Sequence, residues 1–261
     1  MSIQFELERM ERLVKDINEL RYPESKVIRN YKMYEGKIDD GATCDISNWK
    51  DYEIDMPWKD TDCHRWFRTS FQIPKSMVGK HVEFRITTGR EGQWDATNPQ
   101  MLFYLDGEIV QGVDVNHREI TITDHAILDK RYEVALHAYS GTVKGDLILH
   151  TELVVLDDII NKFYYDFMIP VQAARVLWKN KKDDARKILQ ILGTVADIID
   201  LRKAYSNQFY ESLIKASVLL EEEFYTKELE YIPKVSAIGH THIDIAWLWT
   251  VEQTKEKVLR S

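Results

Sequence analysis

The chain has 261 residues, 44% of them hydrophobic, enough for one large or two smaller domains with real cores. Its 43 Asp and Glu against 35 Lys and Arg leave a net charge of -8, which argues against a nucleic-acid binder working by phosphate neutralisation and suits a neutral ligand such as a sugar. The two cysteines, Cys44 and Cys63, are too few for a disulfide scaffold and form no CxxC pair, which fits free thiols in a reducing cytoplasm.

Residues 1–10 show no basic stretch followed by an apolar core, so no signal peptide is read. No apolar run approaches the ~20 residues of a membrane span, and a cytoplasmic address is expected. Phe5, Leu7, Met10, Leu13, Val14, Ile17 and Leu20 recur at helical spacing and Pro23 closes the pattern. Residues 1–24 therefore read as an amphipathic helix that packs on another domain. Its polar face mixes Glu with Lys and Arg, which speaks against a membrane-surface role.

From 25 to 156 the pattern turns to short strands. Residues 66–74 alternate and stop at Pro74, and 81–86 alternate again. Residues 102–110 are two apolar runs around Asp106-Gly107, a strong hairpin signal. Segments 118–123, 132–139 and 146–155 continue the series, which predicts an antiparallel β-sandwich. Residues 157–230 read as a helical module. Pro170 is either a break within 157–179 or the start of a second helix. Apolar stripes Ile188, Leu192, Val195, Ile199 and Phe209, Leu213, Ala216, Leu220 mark two further helices. Tyr231-Ile232-Pro233 then opens a new segment with a strand-like run, Lys234-Val235-Ser236-Ala237-Ile238.

That run leads into Gly239-His240-Thr241-His242-Ile243-Asp244-Ile245-Ala246-Trp247-Leu248-Trp249. In extended backbone i, i+2 and i+4 share a face, so His240, His242 and Asp244 are presented together. An imidazole and a carboxylate so spaced can both close on zinc, with bonds of about 2.0–2.2 Å. The plainer reading has the histidines satisfying hydrogen bonds at a buried strand end. Two histidines and an aspartate on one face, with a tryptophan following, favour a metal or catalytic site. Three such side chains do not complete an active site, and the remainder is expected beyond residue 261. The metallo-β-lactamase pattern needs a histidine where Ile245 stands, and amidohydrolase-like barrels open with HxH without asking for the Asp and Trp. His64, His81, His117, His125, His137 and His150 lack ligand spacing and read as structural or surface histidines. Trp49, Trp58, Trp66 and Trp94 are either core or a sugar-stacking surface. Trp94, in the loop-like stretch 92–99, is the one placed to project toward a catalytic entrance.

Residues 237–249, continued by Glu252, Gln253 and Thr254, resemble the opening of the catalytic domain in family 38 α-mannosidases, a GHAHIDTAWLWP-like segment followed by a short helix with an E–T pair. Thr241, Ile245 and Thr250 replace the usual Ala, Thr and Pro, and none of these changes removes a ligand-type side chain. The upstream layout is similar to the bacterial and cytosolic branch, in which an accessory β-domain and helices precede the catalytic barrel. The resemblance implies a mixed fold: an N-terminal helix (1–24), an antiparallel β-sandwich (25–156), a helical module (157–230), and the first strand and helix of an α/β barrel (231–261).

It also implies that His242 and Asp244 are zinc ligands, that His240 supports them by orienting what the metal holds, and that Trp247 packs against a sugar ring. Trp249 is expected in the core. One Zn2+ would hold adjacent hydroxyls of a mannose, a positioning and electrostatic role. Hydrolysis would be retaining, with two carboxylates about 5–5.5 Å apart. No catalytic residue is assigned within the chain, because the family draws its nucleophile from further downstream. The implied partner is a mannose-containing glycan, with no nucleic acid and no membrane; a homo-oligomer is compatible with the chain but not specified by it. The 261 residues alone are expected to be inactive and to bind little zinc, since two protein ligands fall short of the usual three or four. A stand-alone carbohydrate-binding or interaction module is the alternative, since a fold does not by itself give a function.

Overall fold

Amphipathic stripes organise the first of two compact units, Met1–Pro23 with Leu156–Ser236. The computed structural model describes residues 3–58, 61–92, 100–141, 146–226, 236–239, 242–247 and 249–260. Four α-helices build this unit: α1 (Ile3–Glu19), α2 (Asp158–Leu177), α3 (Lys182–Ala196) and α4 (Asn207–Leu220). Leu7, Met10 and Ile17 of α1 meet Phe163 and Phe167 of α2, Leu189 and Leu192 of α3, and Phe209 and Leu213 of α4 in one core. The N-terminal helix is thus built into the helical unit. Two starts carry side-chain caps, each worth about 1 kcal/mol. Asp157 accepts the Ile160 N–H at 3.0 Å and the Tyr210 hydroxyl at 2.6 Å, and Ser206 accepts the Phe209 N–H at 3.3 Å.

Pro170 neither breaks the helix nor starts a new one; α2 runs through it, with the ring buried. A proline inside a helix removes an N–H and leaves the carbonyl four residues earlier without its partner. That carbonyl belongs to Asp166, and the Tyr225 hydroxyl donates to it at 2.8 Å. Tyr225 stands on a π-helical turn, Glu221–Tyr225, that prolongs α4. Tyr225→Phe is expected to cost about 0.5–1 kcal/mol, the low end for a hydrogen bond because water can replace the partner. A urea midpoint that falls at constant slope would report it.

The second unit joins Glu24–Val155 to Ala237–Ser261. Its four-stranded sheet has the order β1 (Glu24–Val27), β10 (His150–Leu156), β5 (His81–Thr87), β8 (Glu119–Thr123). The six-stranded sheet runs β3 (Lys50–Glu53), β2 (Asn30–Glu35), β4 (Cys63–Gln72), β9 (Arg131–Ser140), β6 (Gln100–Leu105), β7 (Glu108–Val113). Pairing is antiparallel between β1 and β10, between β5 and β8, and throughout the six-stranded sheet. Asp106 and Gly107 have φ of 52° and 91°, the two positive angles that a tight primed hairpin turn between β6 and β7 requires.

The two sheets share one core. Val82, Phe84 and Ile86 of β5 meet Phe67 and Phe71 of β4 and Met101 and Phe103 of β6. The Phe84 ring lies 5.3 Å from Phe103 and 5.9 Å from Phe71. A smaller cluster forms on the outer face of the six-stranded sheet, where the segment after β2 brings Ile38, Ala42 and Ile46 over Trp49 and Trp66. Gly41 lies so close to the Trp66 indole that a Cβ there would fall 2.4 Å from ring atoms, a clash no side chain escapes. Trp49, Trp58 and Trp66 are all buried, so these three serve as core; Trp94 lies outside the described residues.

Sequence pattern and structure part at two places here. Strands β1, β2 and β3 carry no clear apolar alternation, and β3 buries only Tyr52; pairing to a neighbour defines them, not pattern. Conversely, the strand-like run at 234–238 has no regular structure over its described residues 236–238. An extended run becomes a strand only with a ladder partner, and neither sheet pairs with this one among the described residues. A final helix, α5 (Val251–Arg260), follows and lies against β6 and β7. Thr250 caps it, its hydroxyl accepting the Gln253 N–H at 3.3 Å. Among the described residues no helix is long and apolar enough to cross a membrane.

Candidate metal-ligand pair and adjoining cleft

His242 and Asp244 come together: Nε2 of His242 lies 3.0 Å from Oδ1 of Asp244, with both side chains well exposed. Two donors each about 2.1 Å from one metal sit about 3.0–3.4 Å apart at angles from square to tetrahedral, so the pair fits as two ligands of a zinc ion. A carboxylate only accepts, so across this contact the Nε2–H donates to Oδ1. Among the described residues no group of three His, Cys, Asp or Glu is placed to hold a metal. His240, the expected supporter, lies outside the described residues with Thr241.

The chain turns sharply after the pair. Ala246 has φ of 59°, a left-handed conformation that a β-carbon makes costly, and its N–H donates to the Thr254 hydroxyl at 3.3 Å. Beyond this turn Trp247 is exposed, with its ring 5.6 Å from that of Trp249 at 85°. Trp249 is half-buried, short of the core position expected. Lys257 Nζ lies 3.9 Å from the centre of its ring, and the indole also borders an open cleft.

That cleft has a volume of about 640 Å³ and is lined by His242, Ile243, Trp249 and Lys257 on one side. The β-sheet side supplies Gln100, Gln111, Asp114, Asn116, His117 and Glu119. Asp114 organises the link between β7 and β8. Its Oδ1 accepts the N–H groups of Asn116 and His117, both at 2.8 Å, and lies 2.9 Å from His117 Nδ1. Lys257 donates to Gln100 Oε1 at 2.8 Å, tying α5 to the start of β6. His117 has no ligand spacing in the sequence; its only local signal is the Asp three residues before it.

A buried polar cluster docks α5 on the six-stranded sheet. Gln253 and Glu256 are only 3% and 6% exposed. The Gln253 amide nitrogen lies 3.2 Å from His64 Nε2, and His64 Nδ1 lies 3.0 Å from His137 Nε2. An amide nitrogen only donates, so His64 Nε2 accepts and its Nδ1–H is donated to His137. His137 in turn stacks on Trp66 at 4.4 Å and 3°. Lys37 approaches Glu256 at 2.8 Å, compensating a carboxylate that would be costly to bury alone. Hydrogen bonding to Glu256 holds the Lys37 amine above its usual range, and burial, then the Glu256 charge, raises the Tyr104 hydroxyl. Neither His64 nor His137 is singled out by the sequence, because His64 meets Gln253 of α5 and His137 meets His64 and Trp66 of β4, all distant along the chain.

Residues 233–261 match the family described as Glycosyl hydrolases family 38 N-terminal domain. The chain is 24% identical over 211 residues to Alpha-mannosidase 2C1 of Mus musculus, covering 75% of this chain and 19% of that protein. It is 30% identical over 238 residues to Alpha-mannosidase of Saccharomyces cerevisiae, covering 82% of this chain and 21% of that protein. Among solved structures, a β-glucuronidase of Bacteroides uniformis aligns with a TM-score of 0.39 at 16% identity, covering 51% of this chain and 18% of that one. The chain spans about a fifth of the length of the curated relatives it matches. The family match over the motif-bearing end, together with mannosidase similarity over three quarters or more of the sequence, identifies the chain as a relative of the family 38 α-mannosidases.

Proposed function

We propose that this chain is the part of a zinc-dependent, retaining α-mannosidase that carries the first metal ligands, and that the whole protein removes terminal α-mannosyl residues from glycans. The observation carrying this reading is the 3.0 Å His242–Asp244 pair inside the segment that matches family 38. Asp244 offers a carboxylate oxygen, and His242 offers Nε2 once its proton has left. Bound zinc would supply an electrostatic hold on adjacent sugar hydroxyls. Trp247 presents an exposed indole face to the apolar side of the ring, and His240 is read as orienting the metal-bound groups. No carboxylate of this chain is assigned as nucleophile or acid.

On the same reading the two-sheet unit is an accessory β-sandwich and residues 231–261 open a catalytic α/β barrel. The free, half-buried Cys44 and Cys63 favour a reducing, cytoplasmic setting. A stand-alone carbohydrate-binding module is the weaker reading, because it leaves the family match at residues 233–261 unexplained.

The test compares the whole protein with the 261-residue chain on 4-nitrophenyl α-mannoside, with metal content measured by mass spectrometry. The whole protein is expected to hydrolyse the substrate with retention and to hold stoichiometric zinc, the shorter chain to do neither. No hydrolysis by the whole protein, or tight one-to-one zinc binding by the shorter chain, would overturn the respective part of the reading.

A further inference from the structure

We infer that the cleft beside His242 is a carbohydrate subsite, to which the β7–β8 link contributes Asp114, Asn116 and His117, and that it holds the sugar on the leaving-group side of the cleaved bond. The inference rests on the α-mannosidase reading for its direction. An enzyme that removes a terminal residue finds every other sugar of its substrate on the leaving-group side. A sugar-sized cleft that shares His242 with the metal pair therefore receives the next residue of the glycan.

The lining fits that ligand class. Its volume of about 640 Å³ falls within the roughly 300–1,000 Å³ usual for small-molecule sites. Two carboxylates, Asp114 and Glu119, stand against one ammonium, Lys257, so the lining is net negative and gives no hold on a phosphate or nucleotide. What remains is a set of carboxylate, amide and imidazole groups that can pair with vicinal hydroxyls, beside the Trp249 indole for an apolar sugar face. The groups are also held in place before any ligand arrives. Asp114 fixes the backbone of Asn116 and His117 at 2.8 Å, and Lys257 is tied to Gln100. Such pre-ordering lowers the entropy cost of binding. The two-sheet unit would then select the substrate, not merely support the catalytic domain.

Asn116→Ala and His117→Ala test this, because both side chains are exposed and the Asp114 turn keeps its cap. In the whole protein, kcat/KM for an α-linked mannobiose is expected to fall about tenfold more than for 4-nitrophenyl α-mannoside, as loss of one good contact would produce. An unchanged ratio between the two substrates overturns the subsite. A second measurement is independent of catalysis: NMR titration of the 261-residue chain with the same mannobiose. Side-chain signals of Asn116 and His117 and the indole N–H of Trp249 are expected to shift, and no shift overturns the proposal. If the whole protein hydrolyses neither substrate, the mannosidase reading fails, and the titration alone decides whether the cleft binds sugar.

Discussion

Replacing Asp244 by alanine in the whole protein is expected to empty the metal site and to lower kcat/KM by more than the about 10–100-fold that removal of a group supporting a metal ligand costs. The Asp244 carboxylate lies 3.0 Å from His242 Nε2. Deleting it removes one of two donors already in ligand geometry and leaves His242 to bind alone. Asp244 is exposed, so its stability effect should stay within about 0.5 kcal/mol. That difference separates a ligand from a structural residue: metal content and activity fall while the urea midpoint holds. Asp244→Asn sharpens the point, because the amide keeps the shape and can still pair with His242 but loses the charge that competes for a dication. Wild-type metal content and turnover in Asp244→Ala would remove this residue from the metal site.

Local features of the fold were legible in the sequence because their causes are local. Asp106-Gly107 announces its turn since both residues must take positive φ, and few residue pairs do so cheaply. The stripes of α3 and α4 follow directly from helical period. The spacing of His242 and Asp244 likewise suffices to bring a nitrogen and an oxygen to 3.0 Å. What escaped depends on partners far along the chain. Pro170 sits inside a continuous helix because a hydroxyl 55 positions later meets the Asp166 carbonyl that it leaves unpaired. His64 meets Gln253 across 189 positions, and Gln100 meets Lys257 across 157, so no periodicity could signal either. The same holds for the cleft: His117 and His242 line one wall-to-wall space only after β7, β8 and the 242–249 turn are in place.

The largest stability effect is expected at Phe84. Its side chain is fully buried on β5, between Phe71 and Phe103 of the opposite sheet. Phe84→Ala removes the ring and leaves a cavity that two sheets held by their own ladders cannot easily close, a loss of about 3–5 kcal/mol. Against the roughly 5–15 kcal/mol that stabilises a typical domain, that is a large share of the total. Six of the seven tryptophans (all but Trp178) belong to this unit, so tryptophan fluorescence during urea unfolding reads it selectively. The exposed Ile109 on the edge strand β7 supplies the control: Ile109→Ala should move the midpoint by no more than about 0.5 kcal/mol. If Phe84→Ala behaved like Ile109→Ala, the two sheets would not share the core that the Phe71–Phe84–Phe103 stack defines.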